Sequence, residues 1–222
     1  MRNRAVLFAV VLALAGCSGD GEAASTTVPP PGPRAVVSDL VDALDRGDWE
    51  ATSTLVDEDQ LALLAAVESE DPAEASEIVE AGTPPAVRAA FWSSFIESLN
   101  TFSGRKLSKG EVGDPERFRV GSVRFAAVPF RLGRRASHDW VLRNGPDGWK
   151  VDLLATFGAR FATPLHDWLV ADEGSPEVAK IRRELQRDRT SLEAAAEHGG
   201  AGGNPPAESE AVRRLLGYLA RF

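Results

Sequence analysis

The spacing of apolar residues changes from helical to strand-like at Gly104, and that change sets the fold class. Before Gly104, apolar residues recur every three or four positions, which is typical of amphipathic helices that face a core. After it, the apolar run from Phe118 to Phe130 has arginines interleaved at near-alternate positions, which is typical of strands. The sequence therefore predicts an α+β fold in which N-terminal helices pack on an antiparallel sheet.

Local signals divide the helical half into separate helices. Gly47 is typical of a helix C-cap, and Asp48 and Asp57 are good N-caps for the helices that follow. Asp71-Pro72 and Thr83-Pro84 each place a capping residue before a proline, which is typical of a helix start. The helix predicted after Thr83-Pro84 carries a broad apolar stripe, so we expect it to be well buried.

The strand region is bounded by turn signals. Asn144-Gly145-Pro146-Asp147-Gly148 is a strong turn sequence, and residues 149–157 alternate so that we expect a last strand there. The apolar face shifts between Phe125 and Val128, which predicts a bulge at Ala126-Ala127. In that last strand Asp152 would face solvent, because its neighbours Val151 and Leu153 take the core side. Residues 158–222 return to helical spacing and form a C-terminal helical extension.

Composition narrows the classes of partner. The 222 residues include 33 acidic and 25 basic side chains and carry a formal net charge of −8, so nucleic acid is not an expected partner. The single cysteine excludes an intramolecular disulfide. The glycine run at 199–203 lacks the lysine and the preceding strand of a phosphate loop, and no cofactor is predicted.

The N-terminus has the three regions of a secretory signal. Arg2 and Arg4 precede an apolar stretch from Ala5 to Ala15, which is shorter than the roughly 20 residues of a membrane span. It ends in Leu14-Ala15-Gly16-Cys17, which resembles the lipobox of bacterial lipoproteins. The resemblance implies a signal peptide at 1–16, acylation of Cys17 with palmitate-type chains, and a lipid anchor on the extracytoplasmic side of the cell membrane. An ordinary signal peptide with a chance cysteine is the alternative.

Residues 17–33 are rich in Gly, Ser, Thr, Ala and Pro, and we interpret them as a tether. The helices, the long aromatic helix and the meander that follow, closed by Gly148-Trp149-Lys150-Val151-Asp152, resemble the nuclear transport factor 2-like fold over residues 34–157. Leu40 to Glu50 is similar to the first-helix phrase of that family. The resemblance implies a curved, cone-like sheet around the long helix, with a mouth that often holds a ligand. The same fold hosts both enzymes and interaction modules, so it does not decide function.

Five side chains are candidates for lining such a pocket: Trp92, Phe95, His138, Trp140 and Trp149. The alternative is that these aromatics are simply core. His138-Asp139-Trp140 is repeated as His166-Asp167-Trp168, but no two histidines have the close spacing of a zinc site, so no metal is predicted. No catalytic residue is assigned, because no nucleophile motif is present.

The first hypothesis is a membrane-anchored lipoprotein whose domain is a non-enzymatic module for a small apolar ligand or an envelope protein. The second is an acid-base enzyme of the same fold acting on a small hydrophobic substrate. The third is an envelope module that docks another protein through its helical tail. A homodimer is left open.

Overall fold

The computed structural model describes residues 30–69, 71–133, 136–198 and 206–222. Residues 1–16, Cys17 and most of the tether lie outside these ranges, so the lipobox and signal stay predictions. Helices and one curled antiparallel sheet make up the described chain, as the predicted α+β class requires. The helices are α1 (Pro33–Arg46), α2 (Trp49–Leu55), α3 (Glu58–Val67), α4 (Pro72–Ala81), α5 (Pro85–Ser103), α6 (Leu153–Ala171), α7 (Pro176–Arg187), α8 (Arg189–His198) and α9 (Pro206–Leu219). The strands are β1 (Glu111–Val112), β2 (Glu116–Val120), β3 (Val123–Leu132), β4 (Ala136–Gly145) and β5 (Gly148–Val151).

The N-terminal helices begin and end where the local signals predicted. Gly47 ends α1 in the left-handed conformation, with φ of 66°. Asp48, Asp57 and Asp71 cap α2, α3 and α4, each accepting a hydrogen bond from a backbone N–H of the first turn. α5 starts one residue after Thr83-Pro84 and runs for 19 residues.

The sheet is centred on the long strands β3 and β4. Its order is β1-β3-β4-β5, with β2 also paired to β3, and every pair of strands is antiparallel. A parallel bridge from Val56 to Val151 joins the chain after α2 to the β5 edge. The turns after β2 and after β4 lie at the same end of the sheet, because the start of β3 lies beside the end of its antiparallel neighbour β4.

The predicted bulge at Ala126-Ala127 is wrong. These residues pair with Leu142 and Val141 of β4 in a register that continues unbroken on both sides. The apolar pattern shifts because β3 is covered on both faces. Phe125 packs in a smaller cluster with Val141, Ala155 and Ala194, whereas Val128 points into the main core.

The predicted last strand is also wrong beyond Val151. β5 ends there, Asp152 is the N-cap, and α6 begins at Leu153. Residues 153–159 are all buried, so the segment has no polar face to reveal a helical period, and its alternating large residues resembled a strand. The predicted boundary after Phe157 therefore falls inside α6.

The C-terminal helices share the main core with the front half. In the predicted helical extension, α7 ends at Arg187 and α8 begins at Arg189, with Asp188 between them. Leu165, Leu185, Leu192 and Leu215 belong to the same buried cluster as Leu40 and Trp92. The tail thus contributes to the core rather than standing apart from it.

Candidate functional site

An aromatic cluster forms where α5, β4 and α6 meet. Helical spacing on α5 places Trp92 and Phe95 on one side of that helix. Two-residue spacing on β4 places His138 and Trp140 on the same face of the sheet. Phe157 enters from the first turns of α6. Four of the five predicted pocket residues are therefore brought together.

The rings contact one another mainly edge to face. Phe95 is central, with ring centroids 5.7 Å from Trp92, 6.0 Å from Trp140 and 5.3 Å from Phe157. His138 stacks on Phe157 at 5.1 Å with an interplanar angle of 9°, and meets Trp140 edge-on at 5.3 Å. Such pairs add roughly 0.5–1.5 kcal/mol each beyond the area they bury. The aromatic rings therefore form one closely packed cluster.

Exposure differs across the cluster. Trp92 and Trp140 are fully buried, at 0% exposure, whereas Phe95 is half-buried and lies at the edge. Trp149, the fifth predicted residue, lies on β5 opposite Asn144 and packs against the main core. Among the described residues it makes no ring contact with the other four, so Trp149 is not brought into the cluster.

Three ring nitrogens of the cluster lack hydrogen-bond partners within the described part of the chain. They are Nε1 of Trp92, Nε1 of Trp140 and Nε2 of His138, and all three are inaccessible to solvent. A buried polar group without a partner costs about 1–3 kcal/mol. Burial, together with the nearby Arg160 guanidinium, lowers the pKa of His138 to about 4, so the imidazole is neutral near pH 7. The cluster thus holds two N–H donors and one neutral imidazole among apolar rings.

A buried polar network lies at the start of α6. Asp152 accepts hydrogen bonds from the Ala155 N–H at 2.8 Å and from the Ser191 hydroxyl at 2.5 Å. Gln60 donates to Ser191 Oγ at 3.2 Å, and its Oε1 accepts from the Leu154 N–H at 3.0 Å. The network ties α3, α6 and α8 together.

The prediction that Asp152 faces solvent is wrong, since it is only 1% exposed. Burial raises the pKa of its carboxyl group, and the hydrogen bonds from Ser191 and the Ala155 backbone oppose that rise. Asp152 is a buried N-cap of α6, and its hydrogen bonds support a structural role.

Asp188 is a buried titratable residue that was not among the candidates selected from the sequence. It lies between α7 and α8, and Arg143 of β4 pairs with it at 3.5 Å. Burial raises the pKa of Asp188 to about 7, the nearby Asp152 and Asp57 add to the rise, and Arg143 opposes it. These neighbours come from distant parts of the chain, so no local pattern marks the residue.

The two repeated tripeptides do not form one site. His138 contacts the aromatic cluster, His166 packs edge-on against Tyr218 of α9 at 5.5 Å, and His198 stacks on Phe118 at 4.5 Å. Over the described ranges, no group of three or more His, Cys, Asp or Glu side chains is arranged to hold a metal ion. The absence of a metal site stays a prediction.

No family model, curated protein or solved structure matches this chain. Within the residues that the structure describes, none of the helices combines the length and the apolar character needed to cross a membrane. The candidate site is thus defined by its own geometry: an aromatic cluster with three unpartnered ring nitrogens.

Proposed function

We propose that this chain is an exported lipoprotein, anchored through Cys17 on the extracytoplasmic side of the cell membrane. Its α+β domain is a non-enzymatic module that binds a small, largely apolar ligand carrying hydrogen-bond acceptors. The observation that carries the binding proposal is the set of unpartnered ring nitrogens on Trp92, Trp140 and His138. Anchoring is supported by the signal-like start and Leu14-Ala15-Gly16-Cys17.

The chemistry of the cluster suits such a ligand. Small-molecule sites are mostly apolar, with a few polar groups that fix the orientation of the ligand. A carbonyl or ether oxygen would accept from the indole N–H groups of Trp92 and Trp140, relieving the cost of leaving them unpaired. Because His138 is neutral near pH 7, the cluster has no buried positive charge that would favour an anion.

Entry of a ligand requires one ring to move, and Phe95 is the candidate. It is half-buried and stands between Trp92, Trp140 and Phe157. Rotation of its side chain would open a space of about one phenyl ring beside the indole nitrogens. The fully buried tryptophans would then form the floor of the pocket.

The cone-like arrangement is part of the same proposal. α5 and β4 face one another across the aromatic cluster, as a sheet curved around a long helix would place them. The nuclear transport factor 2-like resemblance remains a proposal on this basis. Its ligand-binding mouth would lie at the half-buried Phe95.

A non-enzymatic role is favoured over acid-base catalysis by the state of the titratable groups. A catalytic acid or base needs a substrate-accessible position within hydrogen-bond reach of the reacting group. Asp152 is enclosed by the helix N-terminus that it caps and by Ser191, and His138 Nε2 has no hydrogen-bond partner among the described residues that would orient it. Both observations support binding rather than turnover.

The test is native mass spectrometry of the full processed chain, purified in mild detergent and incubated with an envelope lipid extract. We expect an added mass beyond the acyl chains that leaves on organic extraction. Trp140→Phe keeps the ring but removes one donor, so we expect about fivefold weaker binding, the equivalent of one neutral hydrogen bond.

Trp149→Phe is the matched control, because it removes an indole N–H outside the cluster and should bind as the wild type does. Equal binding by Trp140→Phe and Trp149→Phe would contradict the assignment of the site. A wild-type chain that carries no added mass would contradict a small ligand and would direct the search to an envelope protein.

A further inference from the structure

Both exposed large apolar side chains of the described residues lie where α6 and α9 end. Val170 is 45% exposed on α6, and Phe222, which follows α9, is 57% exposed. Tyr218 connects the two positions, because its hydroxyl donates to the Leu169 carbonyl at 3.2 Å and its ring centroid lies 5.3 Å from that of Phe222. The exposed apolar surface is therefore one small area and not two scattered side chains.

Two arginines stack on the rings at this end of the domain. The Arg182 guanidinium of α7 lies 3.9 Å from the Phe222 ring centroid, and the Arg221 guanidinium lies 4.6 Å from that of Tyr218. Gln186, one turn after Arg182, donates at 3.1 Å to the carbonyl of the last residue of α9, which holds α7 against that helix end. The surface that results, which we call the arginine-aromatic patch, consists of Val170, Arg182, Tyr218, Arg221 and Phe222.

The two arginines of the patch are not neutralised. Elsewhere on the C-terminal helices, arginines that pair with an acidic side chain are Arg187, Arg189, Arg213 and Arg214. No carboxylate of the described residues lies within ion-pair distance of Arg182 or Arg221. The exposed acidic residues that follow α6, Asp172 and Glu173, pair with neither. The patch thus has two unpaired positive charges in a chain whose formal net charge is −8.

The Arg182 guanidinium has hydrogen-bond donors that the described chain does not use. Its Nη1 is buried without a partner, whereas Nε and Nη2 are not enclosed in this way and make no hydrogen bond within the described residues. An aromatic ring covers only the face of a guanidinium, so the N–H groups at its edge can still donate two parallel hydrogen bonds to one carboxylate. Stacking on Phe222 therefore orients Arg182 for an acidic group that comes from outside the domain.

We propose that the arginine-aromatic patch is a docking surface for a partner protein segment that carries both carboxylates and apolar side chains. Its carboxylates would bind Arg182 and Arg221, and its apolar side chains would cover Val170 and Phe222. The unpaired charges favour an acidic partner, and arginine and tyrosine are enriched among the residues that dominate binding energy at interfaces. A bilayer fits less well, because two apolar side chains bury too little area to hold a membrane surface.

Tyr218 provides a probe of this surface, because it is the only tyrosine in the chain. With isotope-labelled tyrosine, every tyrosine ring signal in a nuclear magnetic resonance spectrum comes from the patch. The full processed chain in phosphatidylcholine bicelles is titrated with the peptide acetyl-Glu-Leu-Glu-Leu-Glu-Phe-amide. We expect saturable shifts of the ring signals, and binding at least about tenfold weaker for the same peptide with glutamine in place of glutamate.

Arg182→Gln/Arg221→Gln should weaken binding of the acidic peptide by about tenfold or more. Arg213→Gln/Arg214→Gln is the matched control, because it removes two exposed cations of α9 that already pair with acidic side chains, and it should bind as the wild type does. Circular dichroism checks that both variants fold. If the first does not, Arg221→Gln alone, an exposed substitution, should still weaken binding by about threefold.

The outcomes separate this surface from the other proposals. Unchanged Tyr218 signals with the acidic peptide, or equal binding of the two peptides or of the two double variants, would overturn the docking surface. Shifts that appear when phosphatidylglycerol is added to the bicelles, and that the peptide does not reproduce, would also overturn it, because the patch would then face the membrane. None of these results bears on the aromatic cluster, which Trp140→Phe tests.

Discussion

At Asp188, burial opposes the charged form of the carboxyl group. The side chain is 16% exposed, lies near Asp152 and Asp57, and within the described residues has one ion pair, with Arg143 at 3.5 Å, that stabilises its charge. The pKa in the folded chain is about 7, above the 3.8 of an unperturbed aspartate. The folded state therefore binds this proton more tightly than the unfolded state, and stability declines as pH rises from about 4 to about 7.

Asp188→Asn removes that decline, because the amide is neutral at every pH. At pH 8 we expect the free energy of unfolding of the variant to exceed that of the wild type by about 1 kcal/mol or more. At pH 4 the two proteins should be nearly equal. Urea titrations at the two pH values measure both differences.

Asp42→Asn serves as the comparison, since Asp42 is exposed on α1 and its replacement should leave the pH dependence unchanged. An Asp188→Asn variant that is destabilised at pH 8 would mean that the Arg143 ion pair outweighs the cost of burying the charge.

At the scale of single elements, two glycines differ in the space available for a side chain. Gly110 follows the short helix Leu107–Lys109, and a Cβ atom there would overlap the ring of Phe130, which is 2% exposed and has no room to move. Gly217 lies within α9, and nothing lies within 4 Å of the Cβ position there.

The two alanine substitutions should therefore act in opposite directions. Gly110→Ala should destabilise the fold by about 1–3 kcal/mol through overpacking. Gly217→Ala should stabilise it by about 0.5–1 kcal/mol through helix propensity. Thermal unfolding followed by circular dichroism measures both, and a stabilised Gly110→Ala would show that the segment before β1 does not pack on Phe130.

Elements were predictable from the sequence where their signals are local. Gly47, Asp48, Asp57 and Asp71 mark helix ends because caps act on the adjacent turn. The start of α6 was not predictable, because its first turns are buried on all sides and have no polar face.

In the candidate site too, the residues predicted correctly are those whose positions follow from local spacing. Helical and strand spacing brought Trp92, Phe95, His138 and Trp140 together, since each pair shares one face of its element. Asp152 was misplaced because its surroundings depend on where β5 ends. The surroundings of Asp188 are assembled from distant segments, so only the tertiary structure reveals them.

At the scale of the whole molecule, the proposed lipid anchor can be tested by metabolic labelling. Cells expressing the chain and fed alkyne-palmitate should label it at Cys17, the only thiol present. Cys17→Ser should give no label and should retain residues 1–16, because cleavage of a lipobox requires the modified cysteine. Ser18→Ala, one residue further on, should be labelled and cleaved normally. Labelling of Cys17→Ser would exclude this anchor.

The direct passage from β5 into α6 has a mechanical consequence. Asp152 is the only residue between them, and both of its carboxylate oxygens are already engaged, one by the helix and the other by Ser191. A connection this short and this well hydrogen-bonded restricts movement of the sheet relative to α6. A force applied to the chain at Pro33 would therefore pass from the sheet into the C-terminal helices without a flexible linker between β5 and α6.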